Sequence, residues 1–284
     1  DVWVIETNTN RITRFQPSEQ RFFEHEIPTS RSLPSDLVVD ASGKIWFTEQ
    51  DSNQLGVFDP DSASFREYDI PTIHSFPYRI TTDPTGNIWF TEFYGNKVGM
   101  FDPRKEEFRE YAIPTPGSRP IGIVADSQGL VWFVENEGNK LARLDPRTGT
   151  VREFGLSKPF ELPRELLMDG TGLLWFAGQK GRVLTRFDPQ KEEFETFPLN
   201  KRQATIESLA QGRDGKIFFT LRRTGRIGAF DPRTGEFVEV RVGLGDSQPK
   251  GIAIDQAGNI WFTDIKKNAI FRVDGAAVSK LWIR

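Results

Sequence analysis

The chain has 284 residues, no cysteine and a formal net charge of −3, with 37% apolar and 27% charged residues. Without cysteine there are no disulfides, thiol nucleophiles or thiolate metal sites, and a near-balanced charge with no basic run gives no reason to expect nucleic acid. The composition is that of a soluble globular protein, and no apolar run approaches the roughly 18 residues of a membrane-spanning helix. The compartment stays open, with a periplasmic or secreted location favoured.

Taken in order, the chain repeats itself. Trp3, Trp46, Trp89, Trp132, Trp175, Phe218 and Trp261 follow one another at a constant step of 43 residues. A fixed period of roughly 40 to 45 residues is the mark of a propeller or solenoid. One copy, Ile121–Phe154, reads as four short strands. A strand at Ile121-Gly-Ile-Val-Ala125 turns at Asp126–Gly129 into Leu130–Glu135, and a turn at Gly138-Asn139 leads to Lys140–Leu144. Asp145-Pro-Arg-Thr-Gly149 then returns the chain along Thr150–Phe154. Short β-branched and aromatic runs bounded by Gly, Asn, Asp and Pro are hairpin-linked strands, and proline presets φ in the Asp-Pro turns. Four antiparallel strands per copy, repeated radially, make a β-propeller blade.

The expected fold is therefore all-β: a seven-bladed propeller forming a single domain over residues 1–284, with the seven aromatic anchors buried between blades. First strands are expected near Leu37, Ile80, Ile123, Leu166, Leu209 and Ile252, and the last copy is expected to supply its own fourth strand at Val278–Ile283. The first copy has no first strand, because Asp1 lies two residues before Trp3. By the same period, roughly nine or more residues, with any targeting signal, are expected upstream.

Strand direction brings the start of each first strand and the end of each second strand to one mouth of a central channel. The enders are Glu6, Glu49, Glu92, Glu135, Gly178, Leu221 and Asp264; the starters are Ser35, Tyr78, Ile121, Arg164, Glu207 and Lys250. Glu49, Glu92, Glu135 and Asp264 are candidate oxygen ligands for Mg²⁺ or Ca²⁺. The alternative is that they pair with Arg79, Arg119, Arg164 and Lys250, or cap loop amides. Lys180, Arg182, Arg222, Arg223, Arg226, Lys266 and Lys267 follow the later enders, so the mouth is expected to divide into an acidic and a basic sector. The binding residues expected there are Tyr78, Arg79, Arg164, Arg222, Arg223 and Lys250, for a partner protein or a small ligand. Of the two histidines, His25 is expected to be solvated on an outer strand, while His74 lies three residues before Pro77 and is a candidate general base. No G-x-S-x-G, H-E-x-x-H or phosphate-loop motif is present.

Pro249-Lys-Gly-Ile-Ala-Ile-Asp-Gln-Ala-Gly-Asn-Ile-Trp-Phe-Thr-Asp264, and Asn87-Ile-Trp-Phe-Thr-Glu92 followed by Gly95-Asn-Lys-Val-Gly99, resemble the streptogramin (virginiamycin) B lyase family. The resemblance covers the whole chain. It implies a seven-bladed propeller and a Mg²⁺-assisted elimination that opens a cyclic depsipeptide, with histidines at late starter positions and a glutamate at an ender. Carried over, those positions are Glu207, Lys250 and Asp264 here, and no visible starter is histidine. Two readings follow: a binding module whose mouth takes a protein or ligand, or a diverged metal-assisted lyase or hydrolase drawing on Lys250, Asp264, Glu207, Tyr78 or His74.

Overall fold

The computed structural model describes residues 1–156, 162–178, 183–199, 205–242 and 245–274. Those residues form seven antiparallel sheets with one short 3₁₀ turn, Arg222–Thr224. The fold is a seven-bladed β-propeller. The chain divides into two compact units, Asp1–Leu156 and Ser157–Arg284.

The first unit carries blades one to four. Blade one has strands Val2–Glu6, Arg11–Gln16 and Arg21–Glu26, and blade two has Pro34–Val39, Ile45–Glu49, Gln54–Asp59 and Ser64–Asp69. Blade three follows with Pro77–Thr82, Ile88–Glu92, Lys97–Asp102 and Glu107–Ala112, and blade four with Pro120–Ala125, Val131–Glu135, Lys140–Asp145 and Thr150–Gly155. The second unit carries blade five (Pro163–Met168, Leu174–Gly178, Val183–Asp188, Glu193–Pro198) and blade six (Ile206–Gln211, Ile217–Leu221, Arg226–Asp231, Glu236–Arg241). Its blade seven has Pro249–Ile254, Ile260–Asp264 and Ala269–Val273. Each blade is a simple meander in chain order, and blade one lacks the first strand, as its sequence requires. The fourth strand expected at Val278–Ile283 lies outside the described residues.

The second strand of each blade is apolar on both faces because both faces are covered. Trp46 of blade two packs with Ile80, Ile88, Phe90 and Phe101 of blade three. Trp89 joins Ile123, Val131 and Phe133 of blade four, and in the second unit Trp175 joins Ile217, Phe219 and Phe230 of blade six. A cross-strand match makes room within blades two, three and six: in blade three Phe90 faces Gly99, where an added Cβ would fall 2.1 Å from the ring. The backbone of the third strand is thus a floor for the ring of the second.

An indole sealed between sheets still carries an N–H that must be satisfied. Five of the seven anchors find an acceptor six residues upstream. Trp46 donates to Asp40 at 2.9 Å, Trp89 to Asp83 at 2.8 Å, Trp132 to Asp126 at 3.1 Å, Trp175 to Asp169 at 2.7 Å and Trp261 to Asp255 at 2.8 Å. The other carboxylate oxygen takes backbone N–H groups of the turn, as when Asp83 accepts from Thr85 and Asn87. One residue therefore closes the hairpin and answers the buried indole. Blade six tests this logic from within: its anchor is Phe218, which has no N–H, and the aspartate position is Gly212. A Cβ at Gly212 would meet the Phe218 ring at 2.6 Å.

Charge-assisted hydrogen bonds of this kind are worth about 1.5–3 kcal/mol. Asp83→Ala is expected to lower unfolding free energy in urea by about 2–3 kcal/mol, since it orphans the Trp89 indole and frees the turn.

Candidate functional site

Every first strand begins in a bulge. In blade three the register runs Pro77 opposite Glu92, then shifts so that Ile80 faces Phe90, leaving Tyr78 and Arg79 in the irregularity. The same shift follows Pro34, Pro120, Pro163, Ile206 and Pro249. Starters and enders therefore meet within each blade, as strand direction implied, and a bulge re-aims the side chains it contains. A threonine one residue before the ender takes up the slack. Thr91 Oγ1 accepts the Arg79 N–H at 3.1 Å and donates to the Ile121 carbonyl of blade four at 2.9 Å. Thr48 does the same for Asp36 and Tyr78, and Thr220 donates to the Lys250 carbonyl.

In blades one to four and in blade seven an asparagine in the left-handed region follows the ender. Asn53 has φ 59°; its Nδ2 donates to the Ile70 and Thr72 carbonyls at 3.1 and 3.0 Å, and its Oδ1 accepts from Ser75 N–H and Oγ–H. Asn10 and Asn96 repeat this arrangement. Asparagine tolerates that conformation and replaces three missing backbone partners.

These ties decide where the acidic enders go. Glu49, Glu92 and Glu135 are each 0% exposed, so they lie beneath the surface. Among the described residues, no hydrogen-bond partner reaches either carboxyl oxygen of Glu92 or Glu135. Glu92 lies against Gly95 and Ser75, and Glu135 against Gly138 and Ser118, where an added Cβ on either glycine would stand 2.5 Å from the carboxyl. Burial first, and the nearby Glu110 charge second, push Glu92 up to about 8, with Lys97 opposing. Burial and then Glu153 raise Glu135 to about 8, and burial raises Glu49 to about 7. Glu49, Glu92 and Glu135, expected as an acidic wall, thus lie buried with their pKa values raised.

Asp264 behaves differently. Its Oδ1 accepts the Lys266 and Lys267 N–H groups at 2.9 and 3.0 Å, and its Oδ2 accepts Gln248 N–H at 3.0 Å together with the Ser247 hydroxyl. Those donors hold its pKa below the ordinary carboxylate value against the opposing effect of burial, the largest single influence. Blade six has Gly225 where blades one to four and seven have the asparagine, and Ser247 donates to Asp264 instead. Asp264 is a loop cap, one of the two roles open to it from sequence. Among the described residues no three His, Asp or Glu side chains come together as a metal-holding group. A divalent cation wants about six oxygen ligands; a saturated Asp264 and separately buried glutamic acids do not fit that demand.

The remaining candidates sort by unit. In the first, Arg79 pairs with Asp36 at 3.3 Å and the Tyr78 ring lies tilted against that of Phe93, with centroids 5.6 Å apart. His74 is exposed on the connection before blade three, with φ 54°. His25 is not the solvated residue expected from its outer strand. Its ring lies 4.3 Å from that of Phe58 and 6.3 Å from that of Trp3, and burial, then Arg14, lower its pKa. In the second unit Arg164 and Glu207 are half-buried and Lys250 and Arg223 exposed, while Arg222 donates to Gln248 at 3.3 Å. Lys180 lies outside the described residues. Sequence reasoning passed over Phe76, Phe93 and Tyr94, whose rings form one cluster with Tyr78. The signal was available in the departure of blade three from the other copies.

The buried acids give the molecule a pH dependence. They stay neutral in the folded chain up to about 7 for Glu49 and about 8 for Glu92 and Glu135, but ionise near 4.5 once unfolded. The folded state binds more protons in that window, so stability falls as pH rises, by up to about 1.4 kcal/mol per pKa unit and group. The lowered Asp83 and Asp255 act oppositely, losing stability only on acidification below the ordinary aspartate range. Thermal melting is expected to peak near pH 5 and decline towards pH 8.5, and the Glu92→Gln, Glu135→Gln double variant is expected to flatten that decline. A wild-type midpoint that is level from pH 5 to pH 8.5 would contradict the burial.

Comparison with known proteins agrees with this fold. Virginiamycin B lyase from Staphylococcus aureus superposes with a TM-score of 0.88 at 28% identity, over 94% of this chain and 89% of that one. A streptogramin B lyase structure gives 0.90 at 28% identity over 96% and 89%. A catalytically inactive histidine-to-alanine variant of the S. aureus enzyme with quinupristin gives 0.89 at 27% identity over 95% and 89%. A sequence search of curated proteins found no match. The virginiamycin B lyase family model matches in two overlapping stretches, residues 1–192 and 163–280, and the chain belongs to that family.

Proposed function

We propose that this protein is a binding member of its family, taking a ligand or partner through the loops at the starter and ender end of its blades, without lyase activity. The observation that carries the reading is Glu207 and Lys250 at the late starter positions, where the resemblance implies histidines. In the S. aureus enzyme a single histidine-to-alanine change yields a catalytically inactive protein. The two histidines of this chain offer no replacement: His25 is packed against Phe58, and His74 sits on an exposed connection of the first unit.

Opening a depsipeptide by elimination requires a base that removes a proton beside a carbonyl and a group that stabilises the resulting charge. Lys250 presents an exposed ammonium, which must lose a proton before it can accept one. Asp264 has its lone pairs committed to four donors of the adjoining loop. Neither residue is arranged for that chemistry, whereas Tyr78 and the flanking arginines suit recognition.

Incubation of the protein with Mg²⁺ and quinupristin is expected to give no linear product by mass spectrometry. Turnover that disappears in Lys250→Ala or His74→Ala would overturn the reading and make these loops an active site.

A further inference from the structure

The repeat supplies an internal control for every loop position. At the place of Phe76 the other copies carry Leu33, Arg119, Leu162, Thr205 and Gln248. At the place of Tyr78 they carry Ser35, Ile121, Arg164, Glu207 and Lys250. Phe93 answers to Thr7, Gln50, Asn136, Gln179, Arg222 and Ile265, and Tyr94 to Asn8, Asp51, Glu137, Lys180, Arg223 and Lys266. No other copy has an aromatic residue at any of the four. The fold therefore does not require aromatic residues there, since five other copies at the places of Phe76 and Tyr78 and six at those of Phe93 and Tyr94 carry other residue types.

These four residues are brought together. Phe93 N–H donates to the Phe76 carbonyl at 3.1 Å and Tyr94 N–H to the Ser75 carbonyl at 3.0 Å, so the connection before blade three runs beside its ender loop. The rings of Phe76 and Tyr94 stand 5.0 Å apart, those of Phe93 and Tyr94 5.0 Å, and those of Phe76 and Phe93 6.2 Å. From blade four the Arg119 guanidinium lies 5.4 Å from the Phe93 ring and 5.6 Å from the Tyr94 ring. Tyr94 is 60% exposed, and Ile73, two residues before Ser75, is 80% exposed.

We propose that this patch on blade three is a docking site for a protein segment of little net charge that inserts an aromatic or aliphatic side chain; the proposal rests on the binding reading above and gives it a location and a partner class. Tyr, Phe and Arg in a half-buried apolar cluster are the residues that dominate protein interface energetics. Rigid rings also lose little conformational entropy on binding. Charge selects the partner. Arg119 is matched by Glu137 at 2.9 Å and Arg79 by Asp36 at 3.3 Å. The patch thus has apolar surface at its centre and internally neutralised charge at its rim, which suits a neutral protein segment over a phosphate or an anionic membrane.

The test is selection of a displayed random dodecapeptide library on the intact protein, followed by titration of synthesised winners. Enriched peptides are expected to share an aromatic or aliphatic residue, and to lose at least tenfold in affinity with Tyr94→Ala and with Arg119→Ala. Phe22→Ala, which removes another exposed ring from an outer strand of blade one, is expected to leave binding unchanged. No enrichment, or winners that bind Tyr94→Ala as well as wild type, would overturn the proposal. So would a concentration-dependent dimer in sedimentation that Tyr94→Ala abolishes, because the occupant would then be a second copy. Quinupristin turnover would instead sink the binding reading itself, and the two failures are read in separate assays.

Discussion

A buried indole cannot be left with an unanswered N–H, and this chain settles that demand in the same way at Trp46, Trp89, Trp132, Trp175 and Trp261. The aspartate six residues before the anchor accepts the indole proton with one oxygen and binds turn amides with the other. Turn, strand and inter-blade packing are thereby joined at one side chain. This coupling helps explain how a step of 43 residues survives without insertion across seven copies. An added residue between aspartate and anchor would separate a donor from its acceptor inside the core, at about 1–3 kcal/mol for the orphaned group. Gly212 with Phe218 is the exception that fits: without the indole, the carboxylate is dispensable and the ring occupies its space.

The same economy operates at the loop end. A bulge opens each first strand, a threonine in several blades satisfies the freed amide, and a left-handed asparagine binds the connection to the next blade. What remains for the ender is a space already provided with hydrogen bonds. Glu92 and Glu135 find no donor there, and burial favours their protonated form. The shorter Asp264 meets a different loop, with Gly225 in place of asparagine, and becomes a fully bonded carboxylate. Two acidic residues at equivalent positions thus have opposite pKa shifts, and the difference comes from their neighbours.

The architecture was legible because it rests on local, repeated signals. Anchor spacing, Asp-Pro and Gly-Asn turns and two-sided apolar strands each recur, and the strands of blade four lie within a residue or two of where the sequence puts them. The site was less legible, because it depends on contacts between copies. Nothing in Ile-Trp-Phe-Thr-Glu92 says that its carboxylate turns under a loop toward Glu110. His25 misled for a similar reason: its strand is an outer one, yet Phe58 of the next blade covers its ring. Position along the chain tells which blade a residue serves; only packing tells which face of it meets water.

A repeat protein nevertheless offers a way to separate scaffold from function that a single-copy fold lacks. Where all copies agree, the fold explains the residue, as it does for the anchors and their aspartates. Where copies differ in step, as Gly212 with Phe218 or Gly225 with Ser247, the fold still explains the pair. Where one copy departs and nothing in its surroundings compensates, stability gives no account of the change. Phe76, Tyr78, Phe93 and Tyr94 are of that last kind, since no other copy places an aromatic residue at any of these positions and Tyr94 leaves 60% of its surface exposed. Exposed aromatic surface is an aggregation hazard unless something occupies it. Its presence beside a self-neutralised pair of arginines is most simply accounted for by a partner that covers it.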